Sequence, residues 1–315
     1  MAYALAQLRT LKLYVLFKTA IGAKRLSHRL KSTNSRSVRI VTGGKFKATP
    51  IYILPISVSL VVSILCTLLV VESKIPVEST LILPETGYGP LLNGVIFVLA
   101  MGLVASLIYL LLKFGVHRFV RVLMGLAISV LAFTLMIFYS ELLNLAFSLR
   151  LPILVILVLG ILATAFVIFQ VVLRRGKLSK ITILIFGGAT GSLLGAYIPL
   201  MSAVFILLLL AVYDVIAVFK GPVGKIAEKG LENLPGASFS FKDIHIGLGD
   251  VTFYSMLASR VFLSYGWISY MGAAFGVLVG SYLSFKMVEK KGMFPGLPFP
   301  IILGLLASFT VSVFT

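Results

Sequence analysis

Acidic residues are scarce in this chain: ten in 315, of which only three are aspartates. Cysteine occurs once, at Cys66, and histidine three times, so neither an intramolecular disulfide nor a Cys/His zinc cluster can be assembled. No cofactor and no metal is expected. Charged residues make up 12% against 59% hydrophobic, with a mean hydropathy of +1.10. That balance excludes an ordinary soluble enzyme and describes a chain mostly embedded in lipid.

What is abundant is apolar sequence in runs of about 20 residues, the length at which a helix crosses a hydrocarbon core of roughly 30 Å. Nine windows are expected to span: 51–71, 91–112, 122–140, 151–173, 181–197, 200–219, 245–263, 267–285 and 297–315. The fold class is therefore an all-α polytopic membrane protein. Residues 1–50 form a basic leader, residues 51–199 carry helices one to five, and residues 200–315 carry helices six to nine. Between the fifth and sixth windows only the glycines and the Tyr197-Ile198-Pro199 break divide one apolar stretch into two crossings.

Lysine and arginine orient the bundle, because short cytoplasmic loops hold their excess. Twenty-five of the 28 fall on one side of the nine-span scheme, eleven of them within residues 1–50; Lys74, Arg150 and Arg260 lie opposite. The N-terminus is thus expected in the cytoplasm and the C-terminus outside it, in a multi-pass protein of the cell membrane. The formal net charge of +18 is dispersed over loops, which argues against nucleic acid as a partner. The leader reads as a topology-enforcing basic segment or as an interfacial amphipathic helix on anionic lipid. Its apolar part carries too many charges for a secretory signal.

Against this background two aspartates stand out: Asp214 in LLLLAVYDVIAVF and Asp250 in IGLGDVTFYSML both lie within membrane windows. An aspartate at a helix centre costs about 2.5 to 3.5 kcal/mol on insertion scales, so such acids mark partners, cavities or reactions. Asp214 precedes Lys220 by six residues and Asp250 follows Lys242 by eight, which sets both at about 9 to 12 Å from the same surface. Sequential antiparallel helices could bring them together. Two carboxyls sharing a site hold one proton between them; the ionised member can activate water while the neutral one polarises a peptide carbonyl, the chemistry of aspartic proteases. Gly247 and Gly249, flanking Leu248 just before Asp250, leave room for a backbone to approach.

Around both acids the residues resemble the presenilin and signal peptide peptidase family of GxGD intramembrane aspartyl proteases. Ala211 to Asp214 read AVYD, followed by Ala217-Val218 and Lys220-Gly221-Pro222; Gly247 to Asp250 read GLGD, followed by Phe253-Tyr254-Ser255; and Pro295-Gly296-Leu297-Pro298 stands where the family has PALP. The resemblance implies catalytic Asp214 and Asp250. Tyr213, Gly247, Leu248, Gly249, Pro295, Gly296, Leu297 and Pro298 would shape the site. It further implies transmembrane proteins or peptides as substrates, the bilayer as surroundings, and tolerance of alanine at Gly296. Only residues 220–244 separate the catalytic helices, so the chain looks like a compact microbial member without the long loop that presenilins cut during maturation. Whether it self-associates stays open.

Other features read mainly as structure. Gly187, Gly191 and Gly195, and again Gly272, Gly276 and Gly280, repeat at four-residue spacing and suit close helix packing. Asn93, Asn144, Gln170 and Cys66 read as packing or bonding residues, and His245 as interfacial. Tyr213 points about 100° away from Asp214 on an ideal helix. Residues 234–243 read as a connecting loop, with pairing as an edge strand against an unwound substrate as the alternative. Pro295 and Pro298 predict a non-helical corner before the ninth window. A proton-coupled transporter or channel, or a prepilin-peptidase-type protease, remains open as a rival function.

Overall fold

The computed structural model describes residues 46–75, 81–174, 177–219, 238–241 and 244–314. The leader, apart from residues 46–50, and the stretch 220–237 with its Lys220-Gly221-Pro222 lie outside the described residues.

A 3-10 turn, Pro50–Ile53, opens helix α1, Leu54–Glu72. There follow α2 (Gly89–Lys113), α3 (His117–Ala146) and α4 (Ile153–Ile168), the last continuing as a π-helical segment over Phe169–Arg174. Next come α5 (Lys177–Tyr197) and α6 (Leu200–Phe219). A two-stranded ribbon, β1 (Ser238–Phe241) and β2 (Ile244–Gly247), leads into α7 (Leu248–Lys291), and α8 (Pro298–Phe314) ends the chain. Among the described residues seven helices are long and apolar enough to cross a membrane, and α8 is a shorter apolar helix. The protein is a multi-pass, predominantly helical integral membrane protein.

The seventh window departs from expectation at its start. Residues 245–247 are strand, because Ile244 and Ile246 alternate with exposed His245 in a period-2 pattern that a strand buries and a helix does not. Ile246 pairs with Phe239 and Ile244 with Phe241. Part of the stretch read as a connecting loop is therefore β1. Beyond the ribbon, α7 runs for 44 residues, about 66 Å at helical rise. It is interrupted at Gly266, whose φ of 79° and ψ of −165° are open to glycine and costly for other residues.

The first glycine ladder, on α5, faces α7, and the second, on α7 itself, faces α8. A side chain on Gly191 would meet the Thr252 carbonyl at 2.5 Å, and one on Gly187 would meet Val251 at 2.9 Å, so α5 lies directly on the first half of α7. Gly280 is likewise closed by Phe299 and Pro300, and Gly272 by Ala307, which seats α8 on the second half. Buried hydroxyls reinforce the first contact: Thr67 bonds Ser192 and Ser259 at 2.9 Å each, linking α1, α5 and α7. Such interhelical bonds and small-residue contacts replace the hydrophobic drive that lipid removes. The main core collects Ile56 and Leu60, Ile206 and Leu210, Met256 and Leu257, and Ile301 from α1, α6, α7 and α8.

Other polar residues tie helix ends. Asn93 bonds both backbone groups of Leu83 and the Ser202 hydroxyl, while Glu85 accepts from the Ser202 N–H and hydroxyl at the start of α6. Asn144 accepts the Leu151 N–H. Arg260 donates to the carbonyls of Gly195 and Ile198 at the end of α5.

Candidate active site

Three elements meet at one end of the bundle. Helix α6 presents Asp214 one and a half turns before its last residue, and α7 presents Asp250 in its first turn. Gly247, extended at φ −71° and ψ 140°, is both the last residue of β2 and the N-cap of α7. The third element is the non-helical corner between α7 and α8, which follows Gly292 (φ 78°). Helix α8 begins at Pro298, the last residue of the PGLP segment. Proline is admissible there because the first helical N–H has no intrahelical partner anyway.

The corner touches both acids. The Leu297 N–H donates to Asp214 Oδ2 at 3.0 Å. On its other side Gly296 abuts Asp250: a Cβ at position 296 would stand 2.7 Å from Asp250 Oδ2. Gly247 crowds the same oxygen, at 3.2 Å from its own would-be Cβ. The two carboxyls therefore converge on one dipeptide. Each is half-buried.

Not every expected residue joins them. Tyr213 turns its ring toward α2, where Gly102 would meet it at 3.4 Å. Leu248 packs against Gly187 and helps line a small apolar cavity with Ile128, Val167, Ile183 and Phe186. Gly249 is exposed beside Asp250, with nothing nearer to its would-be Cβ than Phe253 at 3.9 Å. Pro295 and Leu297 are buried and Pro298 half-buried. His245 faces out from β2.

Two side chains that the sequence reading gave no role also reach the corner. Tyr254 donates its hydroxyl to the Gly296 carbonyl at 2.9 Å, and Ser284 approaches the same oxygen at 3.4 Å. Tyr254 follows Asp250 by four residues and so shares its helical face; that spacing is a legible signal. Nothing local marks Ser284. Aromatic contacts join the ribbon to the same end: Tyr52 meets Phe241 and Phe285 edge-on, each at 6.2 Å, and Phe294 stacks on Phe299 at 5.3 Å.

No family model matches the sequence, and no curated protein does. Solved structures do match. One, described as a presenilin family intramembrane aspartate protease in a C222 crystal form, superposes with a TM-score of 0.59 over 83% of this chain and 98% of its own, at 20% identity. A second, described in the same terms in a P2 form, gives 0.57 over 84% and 96%, at 19% identity. This is the presenilin fold. The likeness runs through almost the whole of both presenilin-family chains, so it includes helices far from the motif-bearing residues 211–298.

Proposed function

We propose that the protein is an aspartic-type intramembrane endopeptidase of the GxGD kind, cleaving transmembrane segments of membrane proteins or signal peptides. Asp214 and Asp250 are its catalytic pair. The observation that carries this reading is the convergence of both carboxyls on Gly296 and Leu297 within a presenilin fold. One carboxylate takes a proton from water as the oxygen attacks the scissile carbonyl, and the other, protonated, donates to that carbonyl as its charge grows. Collapse of the tetrahedral species then returns a proton to the departing amine.

The substrate must be extended to expose its carbonyl, since a helix hides its backbone. Among the described residues the ribbon beside Asp250 has two strands, and an unwound segment can add to a strand edge. The proline-bounded corner then holds the substrate backbone next to Asp250. In this reading α7 crosses twice, divided at Gly266, and α8 makes the ninth crossing. The distribution of lysine and arginine puts the aspartate end and the N-terminus in the cytoplasm and the C-terminus on the outer side of the cell membrane.

The test incubates purified protein with a single-span substrate and sequences the products by mass spectrometry. Asp214→Ala and Asp250→Ala should each abolish peptide release while the protein still inserts and folds, because losing one member of a cooperating pair removes nearly all catalysis. Cleavage persisting in either variant rejects the pair. Ion flux across vesicles without peptide products would return the transporter reading.

A further inference from the structure

The Gly296 carbonyl and the Leu297 N–H are opposite ends of one peptide group. That group is planar, and in its trans form the oxygen and the hydrogen point in opposite directions. Here the oxygen accepts from Tyr254 at 2.9 Å and the N–H donates to Asp214 at 3.0 Å. Whatever fixes the oxygen also fixes the donor aimed at the carboxyl.

This peptide needs fixing. Pro298 restricts the backbone of Leu297, but the ψ of Gly296 on the other side is as free as any in a protein. A flip of the peptide would turn a carbonyl oxygen toward Asp214 in place of the N–H. Two hydroxyls oppose that flip: Tyr254, buried at 3% exposure, and Ser284, buried and 3.4 Å from the same oxygen. Both project from α7, the helix that also carries Asp250, one turn before Tyr254.

We propose that Tyr254, backed by Ser284, is a positioning residue that clamps the Gly296–Leu297 peptide and thereby orients its N–H onto Asp214. The proposal rests on the protease reading above. In apolar surroundings a buried tyrosine hydroxyl commonly finds a partner simply to satisfy itself, so the experiment must separate orientation from core stability.

Tyr254→Phe keeps the ring and removes only the hydroxyl. With the single-span substrate, kcat should fall about three- to tenfold, the effect of one oriented hydrogen bond, while KM stays within about twofold because ground-state binding is untouched. Affinity for a hydroxyl-containing transition-state mimic should fall by the same factor as kcat, and the thermal midpoint should change little. Ser284→Ala alone should do less, since its bond is longer. The double variant should lose more than the product of the two, because each hydroxyl partly covers for the other. The proposal is overturned if Tyr254→Phe keeps the parental kcat, or if kcat falls only as the folded fraction falls. Asp214→Ala and Asp250→Ala run alongside. If either still cleaves, the protease reading itself fails; if both are inactive and Tyr254→Phe cleaves like the parent, only the clamp fails.

Discussion

Leu297 donates its backbone N–H to Asp214 across 3.0 Å, although 83 positions separate the two residues in the chain. Through this bond the entry to α8 is fastened to α6, while the adjoining residue Gly296 lies against Asp250 of α7. The corner is thus shared by all three helices. A change there is felt by both acids, and side-chain size and backbone donor can be varied separately.

Leu297 separates the two. Leu297→Ala keeps the N–H and empties a buried site in the main core, so it should cost about 2 to 5 kcal/mol of stability with only partial loss of activity. Leu297→Pro removes the donor to Asp214 and should cost much more activity. Cleavage assays with thermal melts in detergent check the order; equal activity loss in the two variants contradicts it.

Gly296→Ala should fold normally but cleave more slowly, which revises the tolerance expected from the family pattern. The added methyl would stand 2.7 Å from Asp250 Oδ2, and the carboxyl can rotate away where backbone could not. The effect should appear in kcat with the melting midpoint unchanged, and parental kcat would show that the rotated carboxyl works equally well.

Cleavage should decline on both sides of an optimum pH. Below it both carboxyls are protonated and no base remains; above it both are ionised and no acid remains to polarise the carbonyl. Initial rates across pH, with circular dichroism confirming the fold at both extremes, should trace two limbs. A single sigmoid contradicts a shared proton.

Gly191→Ala tests packing rather than chemistry. Its methyl would press on the Thr252 carbonyl at 2.5 Å, a backbone atom that cannot step aside, so α5 should be wedged off α7 at a cost of about 1 to 3 kcal/mol or more. Gly125, with nothing within 4 Å of its would-be Cβ, is the matched control. Equal melting midpoints for Gly191→Ala and Gly125→Ala would sink the packing role.

The sequence alone determined the embedding in lipid, the helical class and the two acids worth pursuing, because hydropathy over 20 residues and a carboxylate in an apolar run are local properties read without knowledge of neighbours. The proline corner was equally visible, since Pro295 and Pro298 restrict their own backbone wherever they sit. The tertiary structure decided what those pieces touch. Tyr213 adjoins Asp214 in the chain yet turns its ring to Gly102 of α2, and Leu248 lies within the GLGD motif yet packs on Gly187 of α5. Tyr254 and Ser284 reach the Gly296 carbonyl from a helix that ends before that corner begins. Which face of a lipid-embedded helix meets another helix is weakly written in apolar sequence, since lipid and protein interior are about equally apolar. Residues 245–247 became strand for a related reason: their partners, Phe239 and Ser240 among them, fix the ribbon only once the chain has folded back.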